Sequence, residues 1–214
     1  MSASPGLRER KKQRTRELIT EAAWRLFAGR GFDAVTVADV ASAAEVSPAT
    51  VFNYFGTKED LVYGRMEAFE EELLAAIRER PAGDSILDAF SRFVLQRRGL
   101  LAETDPDSTA RLATITRVIS ESPALLGRER QIYARYADSL SGLIAAETGA
   151  DALDPEPWVV GNALIGVHRA LIDSVRRRVL AGERNPRLAR EVRAEGERVL
   201  GALGRGLGRY GVKA

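Results

Sequence analysis

Small and polar side chains that could contact the edges of nucleic-acid bases occur together in one short segment: Ala49, Thr50, Asn53 and Tyr54. On a helix they lie opposite Val51 and Phe55, which are four residues apart and share an apolar face. A helix that enters the major groove must present small or polar side chains to the bases. The segment therefore predicts a helix that reads duplex DNA.

The signals that position this helix lie between Thr36 and Lys58. Thr36 and Asp39 have the spacing of a capping box, which predicts the start of a first short helix. Ser47 is an N-cap residue type, and Pro48 suits the first position of a second helix because its missing N–H needs no partner there. Two short helices joined by a tight turn form a helix-turn-helix. A generic helical hairpin is the alternative.

An amphipathic helix is expected to precede this pair. It should begin near Lys11 or Thr15 and end near Ala28, before a glycine pair, so residues 1–56 are predicted to form a three-helix domain. A basic arm at its start suggests phosphate contacts, and a solvated terminus is the alternative. The basic residues of this arm are Arg8, Arg10, Lys11, Lys12, Arg14 and Arg16.

Residues 57–214 are predicted to form a second, wholly helical domain. N-cap residue types followed by proline recur at 105–106, 122–123, 154–155 and 185–186, and each pair marks a helix start. No alternating strand pattern is present, so the fold class is all-α with about nine helices. After the third, the helices are expected at 57–80, 84–101, 106–120, 123–147, 155–181 and 186–209.

Composition narrows the range of functions. The chain has no cysteine and one histidine, so disulfides, thiolate sites and His-rich metal sites are not expected. His168 and Asp173 do not align on one helix face, so catalysis is not expected, and nothing indicates a cofactor. The longest nearly apolar run, residues 158–167, is shorter than the roughly 20 residues of a membrane span, and no signal peptide is visible. A cytoplasmic protein is predicted.

The helix expected at 155–181 is apolar on more than one side, which requires two neighbours. One neighbour can be the core of its own domain, and the other is most simply a second copy of the helix across a two-fold axis. The final helix supplies further apolar positions to the same interface. The predicted dimer-interface residues are Leu164, Ile165, Leu171, Ile172, Val199 and Leu203.

The sequence ITEAAWRLFAGRGFDAVTVADVASAAEVSPATVFNYFGTKEDLV, from Ile19 to Val62, closely resembles the N-terminal domain of TetR-family transcriptional regulators. The family pattern has a hydrophobic helix ending in Phe and Gly, a Thr/Ser-Val pair and the helix-turn-helix, with an aromatic recognition helix and a Lys after it. The C-terminal region is similar only in outline, with a weaker likeness to C-terminal domains of the mycofactocin-regulator type.

This resemblance implies a homodimer that binds a palindromic double-stranded DNA operator, usually as a repressor, and that is released by a small molecule bound in the helical domain. Carried over to this sequence, Thr36, Tyr54 and Lys58 would contact phosphates, and Arg14 in the basic arm would join them. Ser47 and Pro48 would set the entrance of the recognition helix. The residues that would face bases are Ala49, Thr50 and Asn53.

Two positions depart from the family pattern. Glu45 occupies a turn position often taken by glycine, so it must adopt a conformation that glycine adopts more easily. Phe52 replaces a common tyrosine, which removes a hydroxyl and leaves an apolar contact with the DNA backbone.

Candidate ligand contacts are polar or aromatic residues within apolar helices, and their inducer is expected to be largely apolar. Ordinary core or dimer packing is the alternative for each of them. A helical module that binds protein instead of DNA, or a regulator without an inducer, is the alternative for the whole chain. The candidate ligand contacts are Phe93, Tyr136, Trp158, Asn162 and His168.

Overall fold

The computed structural model describes residues 6–64, 66–96, 106–183, 187–207 and 210–212. These residues form ten α-helices and no strand, which confirms the predicted all-α class. The helices are α1 (Leu7–Arg30), α2 (Val37–Ala43), α3 (Pro48–Tyr54), α4 (Asp60–Tyr63), α5 (Met66–Arg78), α6 (Ile86–Val94), α7 (Pro106–Ser120), α8 (Pro123–Thr148), α9 (Glu156–Leu180) and α10 (Arg187–Leu207).

Three helices differ from the predicted ranges. α1 begins at Leu7, earlier than predicted, so all the basic residues of the arm lie within this helix. α6 ends at Val94 with Leu95 as its C-cap, well before the predicted end at 101, and residues 97–101 lie outside the described residues. The helix predicted at 57–80 consists of two helices, α4 and α5, which raises the number of helices from nine to ten.

The break between α4 and α5 occurs at Gly64. Arg16 of α1 donates a hydrogen bond from Nη2 to the Gly64 carbonyl oxygen at 3.1 Å. In a continuous helix that carbonyl would accept from the backbone N–H four residues later. A Cβ atom at Gly64 would come within 2.7 Å of the Asp60 carbonyl oxygen and 2.9 Å of Arg16 Nη2, so this close approach requires glycine.

The chain divides into two compact units. Unit 1 comprises Met1–Arg65 and Arg117–Glu129, and unit 2 comprises Met66–Thr116 and Arg130–Ala214. The predicted domain boundary lies after residue 56. Unit 1 extends beyond that boundary, because it also contains α4 and the corner where α7 ends and α8 begins.

Unit 1 has an apolar core to which α1 contributes most, with Ile19, Ala22, Ala23 and Phe27 buried. The α7–α8 corner is attached to this unit by polar contacts. Ser122 Oγ donates to Asp33 Oδ1 at 2.7 Å, and Arg128 Nη2 pairs with Asp60 Oδ1 at 2.9 Å. The corner also supplies Val118, Ile119 and Leu125 to the apolar core of this unit.

Unit 2 is built around α9, which is buried along much of its length and packs on α6 and α10. Gly161 allows α9 to approach α8 closely, because a Cβ there would lie 2.3 Å from Ser141 Oγ. The described residues after α10 are bound by Arg80, whose Nη2 donates to the Gly211 carbonyl oxygen at 2.9 Å. None of the helices in the described ranges has an apolar stretch long enough to cross a bilayer.

Candidate nucleic-acid interface

The first short helix, α2, begins with the predicted capping box. Thr36 Oγ1 accepts from the backbone N–H of Asp39 and donates to Asp39 Oδ2, and the Thr36 N–H donates to the same carboxylate oxygen. The backbone and hydroxyl hydrogen bonds from Thr36 lower the pKa of Asp39. The hydroxyl hydrogen of Thr36 is therefore engaged inside the protein, and a phosphate contact by this hydroxyl would compete with the cap.

The turn between α2 and α3 requires the left-handed backbone conformation that glycine adopts more easily, and Glu45 adopts it. Glu45 has φ of 55°, and it is the one non-glycine residue with positive φ in the described ranges. The N–H of Val46 closes the turn by donating to the Ala41 carbonyl oxygen at 2.9 Å. Glu45 is exposed, so its negative charge lies in solvent beside the recognition helix. A left-handed conformation costs a residue with a Cβ more than it costs glycine.

The recognition helix α3 begins as predicted. Ser47 Oγ accepts from the backbone N–H of Thr50 at 3.0 Å, and Pro48 occupies the first helical position. The hydroxyls of Ser47 and Thr50 are also hydrogen-bonded to each other at 2.8 Å. The cap therefore fixes the side chain of Thr50 as well as the start of the helix.

The two sides of α3 differ as the sequence predicts. Val51 and Phe55, the C-cap residue, are buried in unit 1, whereas Ala49 and Asn53 are exposed. Phe52 is 52% exposed, an unusual position for a phenylalanine. The helix thus presents one compact surface to solvent, defined by Ala49, Thr50, Phe52, Asn53 and Tyr54, which we call the recognition surface.

Lys58 is held within unit 1. Its Nζ donates to the carbonyl oxygens of Phe32 at 2.9 Å and Val35 at 2.8 Å, and it lies 4.0 Å from the centroid of the Phe32 ring. An ammonium group has three N–H donors, so two of them serve the loop before α2. Sequence reasoning gave Lys58 only a phosphate contact and missed this role, because its partners are more than 20 residues away.

The basic arm separates into two kinds of residue. Arg8, Arg10 and Arg14 are exposed on the first half of α1, where they are available to phosphates. Arg16 is half-buried and lies with its guanidinium carbon 4.8 Å from the Phe55 ring, in addition to its bond to Gly64. Arg16 therefore holds the end of the recognition helix and is not equivalent to its basic neighbours.

The five candidate ligand contacts fall in unit 2 and in two different environments. Phe93, Tyr136 and His168 come together around the ring of Phe69, a residue that sequence reasoning did not single out. Trp158 is 57% exposed near the start of α9, and Asn162 Nδ2 donates to the Trp158 carbonyl oxygen one turn earlier. These two residues lie on the exposed side of α9.

The predicted dimer-interface residues also fall into two groups, which differ in burial. Leu164, Ile165 and Leu171 are buried within unit 2 and belong to its own core. Ile172, Val199 and Leu203 are half-buried. The exposed side of α9 instead carries Trp158, Val159, Gly166 and Ala170.

Comparison with known proteins identifies the relatives of this chain. The family model of the bacterial regulatory proteins of the tetR family matches residues 19–63, and the model of the MftR C-terminal domain matches residues 84–186. The HTH-type transcriptional regulator TcmR of Streptomyces glaucescens is 36% identical over 157 residues, which cover 70% of this chain and 67% of TcmR. The mycofactocin biosynthesis regulator MftR of Mycobacterium tuberculosis is 27% identical over 165 residues, 74% of this chain and 78% of MftR.

Solved structures share the fold. NalD of Pseudomonas aeruginosa, described as the secondary repressor of the MexAB-OprM multidrug efflux pump, is 20% identical with a TM-score of 0.58 and covers 91% of this chain and 98% of its own. The fatty acid degradation regulator FadR of Bacillus halodurans is also 20% identical, with a TM-score of 0.54 over 86% of this chain and 97% of FadR.

The helix-turn-helix and the matched helical region place the chain in the class of DNA-binding transcriptional regulators, which are not enzymes. Within that class, the chain belongs to the TetR family.

Proposed function

We propose that this protein is a repressor that binds a palindromic operator as a homodimer and leaves it when a small molecule binds in unit 2. The observation that carries the proposal is the recognition surface itself. The polar groups around it are engaged inside unit 1, as Thr36, Ser47 and Lys58 illustrate. The surface is therefore fixed in place before DNA arrives, which lowers the entropic cost of binding.

Within the recognition surface we assign base reading to Asn53, Thr50 and Ala49. The amide of Asn53 is exposed and can form two hydrogen bonds to adenine in the major groove. Ala49 and the methyl group of Thr50 offer apolar contacts of the kind that a thymine methyl group accepts. Phe52 would pack against the sugar-phosphate backbone, which suits its exposed ring.

Phosphate contacts are assigned to Tyr54 and to Arg14 on the exposed half of α1. These contacts position the protein without reading sequence, and they make affinity depend on salt. Thr36 and Lys58 would contribute mainly by holding α2 and the preceding loop in place, with one remaining N–H of Lys58 available to a phosphate.

The homodimer would form through the exposed side of α9. Large apolar side chains exposed on a helix mark an interaction surface when they lie close together. Trp158 and Val159 are 57% and 55% exposed, and the small residues Gly166 and Ala170 continue the same side of the helix. Ile172, Val199 and Leu203 are half-buried and remain candidates for its edge. A protein whose partner is chromosomal DNA would act in the cytoplasm.

The proposal is tested by measuring affinity for an operator selected from random duplex DNA, over a range of salt concentrations. Arg14→Ala should lower the slope of log K against log salt by about 1, because one phosphate contact is lost. Asn53→Ala should leave the slope unchanged and cost about 1–3 kcal/mol.

Asp138→Ala provides the matched control, since Asp138 is an exposed polar residue of α8 in unit 2. It should bind the operator as the unmodified protein does. Binding that does not depend on salt, or an Asn53→Ala variant with unchanged affinity, would overturn the proposed function and favour a module that binds protein.

A further inference from the structure

Five aromatic rings from four helices meet inside unit 2, and we call this group the aromatic cluster. Phe69 of α5 is at its centre, with ring centroids 5.3 Å from Phe93 of α6, 5.7 Å from Tyr136 of α8 and 4.8 Å from His168 of α9. Tyr133 of α8 completes the group, with its ring centroid 5.9 Å from that of His168 and the two rings nearly perpendicular, at 80°. The rings of Phe69 and His168 are almost parallel, at 20°.

His168 is the unusual member of this cluster. It is the only histidine in the chain, and burial lowers its pKa from 6.5 to about 4, so the imidazole is neutral at pH 7. Among the described residues, neither of its ring nitrogens has a hydrogen bond. A neutral imidazole has one N–H donor and one acceptor nitrogen, and because this side chain is only half-buried both remain accessible to solvent or to a ligand.

Phe69 and His168 are the members of the aromatic cluster that reach solvent. Phe93, Tyr133 and Tyr136 are buried, whereas Phe69 and His168 are only half-buried. The hydroxyl of Tyr136 donates to the Met66 carbonyl oxygen at the start of α5, so it is already engaged. The exposed part of the cluster therefore combines a stacked pair of flat rings with imidazole nitrogens that have no hydrogen bond among the described residues.

The charged residue beside Phe69 in the sequence already has partners. Glu70, the residue after Phe69, accepts from Arg135 Nε at 2.9 Å through Oε2 and from Ser139 Oγ at 2.7 Å through Oε1. A charged ligand would lose its water of hydration at this point and find a neutral imidazole as its neighbour, which is unfavourable. A neutral ligand avoids that loss.

We infer that the Phe69–His168 pair binds a neutral, flat aromatic molecule whose phenolic or carbonyl group forms a hydrogen bond with the imidazole. This inference deepens the proposed function, on which it rests, by giving the chemical class of the inducer. The ligand ring extends the stack formed by Phe69 and His168, and each aromatic pair of this kind contributes about 0.5–1.5 kcal/mol beyond the area it buries. The hydrogen bond to His168 then distinguishes phenols from hydrocarbons of the same shape.

The test uses 2-naphthol as the probe, with the full chain and without DNA. Isothermal titration should show saturable binding of one 2-naphthol per chain. Two further probes should each bind at least about tenfold more weakly. 2-Naphthalenesulfonate has the same ring system but carries a negative charge, and 1-decanol is a flexible apolar alcohol that cannot stack.

Variants separate the two contacts. His168→Phe keeps a ring and should weaken 2-naphthol binding at least about fivefold through loss of the hydrogen bond. Phe69→Leu should weaken it through loss of stacking. Leu153→Ala changes an exposed apolar residue between α8 and α9, outside the cluster, and should bind 2-naphthol normally.

A measurement on the unmodified protein covers the case in which a variant fails to fold. Because His168 is the only histidine, its imidazole nitrogens give a single set of NMR signals. 2-Naphthol should shift them, and 2-naphthalenesulfonate at the same concentration should not. Absence of saturable binding, unshifted imidazole signals, or equal shifts from both probes would overturn the inference.

DNA binding is measured separately on the same preparation, so that the two proposals fail in different ways. If 2-naphthol shifts the imidazole signals but the protein does not bind duplex DNA, the repressor proposal is wrong and the assignment of ligand class is retained. If DNA binding is salt-dependent but the signals do not shift, the assignment of ligand class is wrong and the DNA proposal is retained.

Discussion

The recognition surface of unit 1 and the aromatic cluster of unit 2 differ in how their polar groups are hydrogen-bonded. Around the recognition surface, Thr36, Lys58 and Arg16 are engaged by neighbours within the unit, and the exposed groups are those that would meet DNA. In the aromatic cluster the polar group without a partner among the described residues is partly buried, at His168.

This difference has a simple physical meaning. A surface whose supporting groups are satisfied is preorganised and needs no rearrangement to bind. A neutral imidazole that has no hydrogen bond among the described residues can offer a donor and an acceptor to a ligand without breaking an existing contact. The recognition surface is therefore preorganised by its own unit, whereas the imidazole of His168 has no hydrogen-bond partner among the described residues.

The largest expected effect tests whether α9 has separate inner and outer sides. Ile165 is 4% exposed and Val159 is 55% exposed, although both belong to α9. Ile165→Lys should unfold unit 2, since burying an unpaired ammonium costs more than about 3 kcal/mol. Val159→Lys should leave the protein folded but monomeric, as measured by circular dichroism and analytical ultracentrifugation. A folded Ile165→Lys protein, or a dimeric Val159→Lys protein, would contradict the assignment of the two sides.

A second prediction concerns the support of the recognition surface. Lys58→Ala removes two hydrogen bonds from a charged donor to Phe32 and Val35, so it should lower the free energy of unfolding by about 2–3 kcal/mol. Urea denaturation measures the loss. Lys12→Ala changes an exposed lysine of α1 and should leave stability unchanged. Equal stability of the two variants would show that Lys58 does not support unit 1.

The pH dependence of stability tests the aromatic cluster. The unfolded chain binds a proton at His168 below about pH 6.5, but the folded protein does so only near pH 4. The unfolded state therefore binds more protons in this interval, and stability should fall as pH drops from 6.5 toward 4. His168→Phe should reduce this fall, most clearly between pH 7 and 5, where few carboxylates titrate. Identical pH profiles for the two proteins would show that the imidazole is not desolvated.

The smallest expected effect concerns the turn before the recognition surface. Glu45→Gly should raise the free energy of unfolding by about 0.5–1 kcal/mol, because glycine adopts φ near 55° without strain. Glu45→Ala removes the same charge but keeps the strain, so it should gain DNA affinity at low salt without gaining stability. Thermal unfolding of both variants separates the two effects, and equal stability of the glycine and alanine variants would argue against strain at this turn.

The helix-turn-helix could be predicted from sequence because its signals are local. The capping pair Thr36 and Asp39, the Ser47–Pro48 start and the unusual turn at Glu45 act within a few residues of one another. They therefore fix α2 and α3 without reference to the rest of the chain. The helical periodicity of α3 predicts which of its residues share a side, and the burial of Val51 and Phe55 agrees with that prediction.

The features that could not be predicted depend on distant partners. At the break, the Gly64 carbonyl oxygen accepts from Arg16, 48 residues earlier, and the role of Lys58 depends on carbonyl oxygens of the loop before α2. The aromatic cluster joins residues from 69 to 168, whose spacing along the chain has no period. Which apolar side of α9 is the inner one likewise depends on tertiary packing.

Selection of bound fragments from random duplex DNA, by the unmodified protein and by Asn53→Ala, tests the central claim most directly. The account predicts two inverted half-sites whose centres are about 34 Å apart or a multiple of that distance, as a two-fold dimer requires. Asn53→Ala should relax the preference at the same base pair in both half-sites. Failure to enrich any palindrome, or an identical preference for the variant, would contradict the claim that α3 reads DNA.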